Sequence, residues 1–224
     1  MGKFWLCAKG NLEKKGSAVL IDEVPDIFKG IPENTLAESI DNLVLSGMGN
    51  GYYKIGSKTF KIENIGAGTY SSVFKISDGA NKPVVLKYAI SANDNAYCNE
   101  ILLAKHLKNA GVVDIPKLYM ANPITQNWMN FETGYSQTRN AWQILDCISE
   151  GQKVPEGKKL FDYLKEINAK HYDFNQGTLV GDYIVDLGGI RGNNITKPYS
   201  SFVCNIAPQL TNNVTLDELY NAIS

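Results

Sequence analysis

The amino-acid sequence predicts an α+β fold in which an antiparallel sheet carries one main helix. Three observations lead there. Runs rich in aromatic and β-branched residues crowd together after residue 50, one amphipathic helical run interrupts them, and further strand-like runs follow. With 224 residues, of which 44% are hydrophobic, the chain has apolar material for one full-sized domain but not for two large independent ones.

Residues 1 to 50 read as a leader of mixed structure. Ser17 to Ile21 has the composition of a short strand. Thr35-Leu36-Ala37-Glu38 has the pattern of a capping box, opening a helix whose apolar positions Leu36, Ile40, Leu43 and Leu45 follow helical spacing. The glycine-rich stretch Ser46 to Gly51 predicts a boundary, because glycine leaves the backbone free to turn. Strands are then expected at Thr59 to Ile65, Tyr70 to Ile76 and Pro83 to Ala89, and a helix from Asn95 to Lys108. Further strands are expected at Lys117 to Ala121, Trp128 to Thr133 and Ala141 to Ile148. A second helix is expected over Glu156 to Ala169, then a strand pair around Thr178 to Val185, and Thr215-Leu216-Asp217-Glu218 caps a last helix.

Composition excludes several function classes. Twenty-two basic and 23 acidic residues give a net charge of -1, so the electrostatic footprint needed to bind duplex nucleic acid is missing. Cys7, Cys98, Cys147 and Cys204 form no C-x-x-C pair and read as free thiols of a reducing compartment. His106 and His171 are the only histidines, too few for a three-imidazole metal site, and neither H-E-x-x-H nor G-x-S-x-G occurs. The apolar start Phe4 to Cys7 is too short for a secretory core or a membrane span, and Leu6 breaks the myristoylation pattern that Gly2 opens.

The chemistry-bearing residues come in order. Ile65-Gly66-Ala67-Gly68-Thr69-Tyr70-Ser71-Ser72-Val73 lies between two predicted strands, where a glycine turn lets backbone amides approach polyphosphate. Alone, this pattern describes any glycine-turned hairpin. Val84-Val85-Leu86-Lys87 sharpens it: a lysine on the inward face of a strand needs compensating negative charge. Glu100, in the amphipathic run that follows, is the candidate helix carboxylate. Two further segments complete the set, His171-Tyr172-Asp173-Phe174-Asn175-Gln176-Gly177-Thr178 and Ile184-Val185-Asp186-Leu187-Gly188-Gly189.

Together these residues resemble a protein kinase over about residues 58 to 190, the His171 segment resembling the catalytic loop H-x-D-x-x-x-x-N and the Asp186 segment the metal-binding D-F-G. The core of the loop is especially similar to minimal kinases that bacterial secretion systems inject into host cells. The resemblance implies a bilobal kinase-like fold: residues 1–50 an accessory segment, 51–150 an N-lobe built on the antiparallel sheet, and 151–224 a strongly reduced C-lobe.

It also implies ATP and Mg2+ as cofactors. Gly66, Ala67, Gly68 and Val73 would cover the nucleotide, Lys87 would hold its α/β-phosphates with Glu100 positioning the lysine, and the backbone of Asp146 to Ile148 would receive the adenine edge. Asp173 would be the catalytic base, and Asp186 with Thr178 the metal ligands. The implied activity is γ-phosphoryl transfer to a Ser or Thr hydroxyl of a host protein by a monomer delivered into host cytoplasm.

Two departures qualify the pattern. Tyr172 replaces the arginine that reads an activation-loop phosphate, which predicts activity without such phosphorylation. Thr178 stands where the second metal ligand is asparagine, with Asn175 nearby as a substitute. Thr178 and the shortened large lobe leave open a pseudokinase-type module that binds a host partner such as a ubiquitin-conjugating enzyme or a chaperone, and a third reading is nucleotidyl transfer on the same fold. Ala207-Pro208-Gln209 is a faint echo of A-P-E.

Overall fold

The computed structural model describes residues 3–5, 19–68, 71–90, 95–122, 126–130, 135–139 and 141–192. In chain order the elements are β1 (Lys3–Trp5), β2 (Val19–Ile21), α1 (Glu33–Ser46), β3 (Gly51–Ile55), β4 (Lys58–Ala67), β5 (Ser71–Ser77), β6 (Val84–Ala89) and α2 (Asn95–Asn109). After them come β7 (Leu118–Asn122), β8 (Gln126–Asn130), β9 (Tyr135–Arg139), β10 (Trp142–Asp146), α3 (Leu160–Glu166), β11 (Ala169–His171), β12 (Leu179–Val180), β13 (Tyr183–Ile184) and β14 (Ile190–Gly192). Single 3-10 turns occupy Asp26–Phe28 and Gln176–Thr178. The fold is α+β, and the chain divides into two units: Met1–Asp94 with Leu118–Cys147, and Asn95–Lys117 with Ile148–Ser224. The expected last helix at Thr215 and the Ala207-Pro208-Gln209 segment lie outside the described residues.

In the first unit eight strands form one sheet in the order β1-β2-β7-β10-β6-β5-β4-β3, every neighbouring pair antiparallel. Residues directly opposite on paired strands share a face, so the register sorts the side chains. Phe74 faces Leu86 and Leu86 faces Ile144, and this row is buried in one cluster with Ile27, Phe28, Leu36 and Ile40. Full burial of each such side chain contributes about 1.5–3 kcal/mol. Residues 26–48 therefore supply the second layer of the sheet unit rather than a separate leader.

Helix α1 starts earlier than the Thr35 box predicts. The Pro32 carbonyl accepts the Leu36 N–H at 2.9 Å, and Glu33 places negative charge in the first turn, which favours the helix dipole. Val44, not Leu45, completes the buried stripe. The glycine expected to mark a boundary, Gly47, is the left-handed C-cap of α1 at φ 65°, and the chain then turns straight into β3 of the same sheet. A buried polar contact fixes the layers: the Asp41 Oδ1 of α1 accepts from Trp142 Nε1 at 2.7 Å and from Asn122 Nδ2 at 3.3 Å.

In the second unit the buried Asp114 organises three segments. Its Oδ1 accepts the Leu160 N–H at 2.7 Å, capping α3 from outside its own sequence, and its carbonyl accepts the Ile184 N–H at 2.8 Å. That remote cap, with Lys159 extended at the N-cap, starts α3 at Leu160 rather than at the expected Glu156. On α2, His106 Nε2 lies 2.6 Å from the Tyr163 hydroxyl of α3. Burial lowers the His106 pKa below its ordinary 6.5 and raises that of Tyr163.

Two outcomes are expected. Asp41→Ala leaves the Trp142 indole N–H buried without its acceptor and lowers the unfolding free energy by about 1.5–3 kcal/mol, read from urea midpoints at constant m-value. For His106 the folded value lies below the unfolded one, so below pH 6.5 the unfolded chain takes up the proton first. The stability it supports is complete above that value and lost as pH falls through the lowered folded pKa. The unfolding midpoint should therefore fall as pH drops below 6.5, and His106→Gln should flatten that slope.

Candidate active-site residues

The expected glycine hairpin is the turn between β4 and β5. Gly66 pairs with Val73 and Ala67 with Ser72, a bulge displaces Ile65, and the Gly68 N–H donates to the Ser71 carbonyl at 2.8 Å. Thr69 and Tyr70, at the tip, lie outside the described residues. A Cβ built on Gly66 or Gly68 meets no described neighbour within 4 Å, and neither glycine has a positive φ. Backbone conformation and packing thus do not require glycine here, which leaves the open side of the turn as the place where the missing side chains matter.

Lys87 lies in the same row. Gly66 faces Val73, Val73 faces Lys87 and Lys87 faces Gln143, on the face opposite the one that α1 covers. Lys87 is 5% exposed, and a lysine so deeply buried is retained only with compensating polar or negative partners. At the end of β10, Asp146 accepts from Lys82 Nζ at 2.7 Å and from the Tyr119 hydroxyl at 3.4 Å. Burial and the Asp146 charge push the Tyr119 phenol up to about 12. The carboxylate of Asp146 thus ties the β5–β6 turn to β7 across the end of β10, a role the sequence reading missed.

The second unit carries the acidic residues. Glu100 on α2 is 8% exposed. Strands β11 and β14 pair His171 with Ile190, joining the Asp173 loop to the Asp186 turn. His171 Nε2 donates to the Asp186 carbonyl at 2.8 Å, so Nε2 carries the proton and the buried Nδ1 is left without a partner. The Tyr172 N–H donates to the Gly189 carbonyl at 2.8 Å, and Asp186 Oδ1 accepts the Gly188 N–H at 3.1 Å. Asp173 itself is exposed.

Thr178 is 2% exposed and forms a reciprocal capping box with Asn175. The signal was present in the sequence as an Asn followed three residues later by a Thr, because both side chains can bond backbone groups of a turn. Ile148 is half-buried just past the division between the units. Among the described residues no three His, Cys, Asp or Glu side chains gather as a metal-ligand cluster, and no helix is long and apolar enough to cross a membrane.

No protein-family model and no curated protein matches this chain.

Gly189 is the tightest point of the second unit's site. A Cβ there would stand 2.7 Å from the Cβ and the N of Asp173 and 2.8 Å from His171 Cε1. Gly189→Ala should therefore cost about 1–3 kcal/mol through forced displacement of the Asp173 loop. Gly66→Ala, with open space around it, should change stability by less than about 0.5 kcal/mol; urea unfolding of the two variants checks the contrast.

Proposed function

We propose that the chain is an ATP- and Mg2+-dependent protein kinase that phosphorylates a Ser or Thr hydroxyl, with a host protein as acceptor. One observation carries the reading. Two segments that each bring an acidic residue, 171–178 and 186–190, are fastened backbone to backbone, with His171 spent on the fastening rather than on proton transfer. The row Gly66, Val73 and Lys87 across β4, β5 and β6 supports it independently.

In this reading the open glycine turn covers the phosphates, and Lys87, partnered by Glu100, holds the α/β-phosphates by charge. The strand end at Asp146 and the following Ile148 meet the adenine edge. Asp173 orients the acceptor hydroxyl and takes its proton as the new oxygen–phosphorus bond forms and the bond from the γ-phosphorus to the bridging oxygen breaks, releasing ADP. Mg2+ is ordinarily met by one or two protein carboxylates plus phosphate oxygens, and Asp186 fits that need. When bound, the ion offsets negative charge on the transferred group.

Thr178, whose hydroxyl is taken up by the turn, favours a second reading, a nucleotide-independent module that binds a host partner such as a ubiquitin-conjugating enzyme or a chaperone. Two measurements decide. With labelled ATP and host lysate, Lys87→Ala and Asp186→Ala should each lower labelling by about a hundredfold or more; equal labelling by all three proteins rejects the kinase reading. In calorimetry, absence of Mg-ATP binding together with intact partner capture by Asp173→Ala favours the module.

A further inference from the structure

We propose that the Thr178 hydroxyl is a positioning group that clamps the Asp173 loop in its turn, on a segment whose main chain is tied to Val185, and that the site takes a single divalent cation, held by Asp186, with its nucleotide. The inference rests on the kinase reading for the cation count, while the clamp rests on the structure of the loop alone.

A hydroxyl has one proton to donate and two lone pairs. Thr178 Oγ1 donates its proton to the Asp173 carbonyl at 3.3 Å and accepts the Asn175 N–H at 3.0 Å. The backbone carbonyl of the same residue accepts the Val185 N–H at 2.8 Å, next to Asp186. With the side chain 2% exposed, a cation at Oγ1 would have to enter a closed turn and disrupt its bonds. Mg2+ sheds its water reluctantly and demands near-octahedral oxygens, so this donor does not suit it.

Asn175, itself exposed, is engaged in the same turn, though its amide oxygen has a second lone pair. Its Oδ1 accepts the Gly177 N–H at 2.8 Å, and its Nδ2 donates to the Asp173 carbonyl at 3.1 Å. Both side-chain oxygens that this loop offers near the second-ligand position are thus turned inward to hold the turn. What the side chains hold is the backbone of residues 173–177, while the main-chain carbonyl of Thr178 holds Val185, next to Asp186.

The experiment has two arms on the full chain. In nucleotide-free protein, Thr178→Val should make the Asn175 amide exchange its hydrogen about tenfold faster with the rest of the chain unchanged. Thr178→Ser, which keeps the hydroxyl, should restore wild-type exchange. Unchanged exchange in the valine variant, or failure of serine to restore it, overturns the clamp. In the second arm, Mn2+ is titrated by electron paramagnetic resonance in the presence of a non-hydrolysable ATP analogue. One ion per chain is expected in wild type and in Thr178→Ser, and none in Asp186→Asn. Two ions in wild type overturn the single-cation proposal. Absence of nucleotide-dependent Mn2+ binding in wild type rejects the kinase reading and the cation count with it, while the exchange arm still decides the clamp.

Discussion

The missing side chain at Gly189 is the constraint on which the second unit's site depends. Its carbonyl accepts the Tyr172 N–H, and its α-carbon lies so close to Asp173 that any Cβ would meet backbone. Removing that freedom would force apart the β11–β14 pair and with it the bond from His171 to the Asp186 carbonyl. Packed backbone yields little to an added methyl group, so a single atom decides whether two acidic residues share one frame. The glycines of the β4–β5 turn differ in kind, because no described protein atom demands them. Gly189 thus serves folding, whereas open space among the described residues surrounds Gly66 and Gly68.

In the first unit the analogous constraint is the buried Asp41. A carboxylate in an apolar layer is costly unless its oxygens are bonded, and here an indole and an amide from two different strands meet it. Those contacts are directional, whereas the surrounding apolar contacts of Leu36, Ile40 and Phe60 are not. They therefore fix where α1 lies on the sheet, while hydrophobic burial supplies the driving force. The consequence for the candidate site is indirect: with one face of the sheet filled, the row through Val73, Lys87 and Gln143 belongs to the other.

Much of this was legible in the sequence. Strands β4 to β6, β7 and β10 and helix α2 follow from alternation and helical spacing, because local pattern and tertiary role agree there. Strand β3 was hidden by the glycines beside it, which read as punctuation although Gly47 caps a helix and Gly51 opens a strand. The start of α3 was illegible for a different reason. Its cap comes from Asp114, far away in sequence, and no local rule detects a cap supplied by tertiary structure. At the candidate site the residue types and their order were readable. The use of Asp146 as an anchor for Lys82 and Tyr119 was not, because a charged residue ending a strand carries no sign of its partners.

The departures from the kinase pattern acquire a common sense once the loop is considered as a folding problem. Phe174 packs edge-on against the rings of Phe161 and His171, and hydrogen bonds supply the directional order that such apolar contacts lack. Asn175 and Thr178 supply them by bonding the backbone of Asp173, Asn175 and Gly177, through the Thr178 hydroxyl and both ends of the Asn175 amide. In the proposed kinase reading, order in the loop and a second metal ligand would draw on the same side-chain oxygens, Thr178 Oγ1 and Asn175 Oδ1. Asp186 in the facing turn is held through its backbone carbonyl by His171, and its Oδ1 accepts the Gly188 N–H.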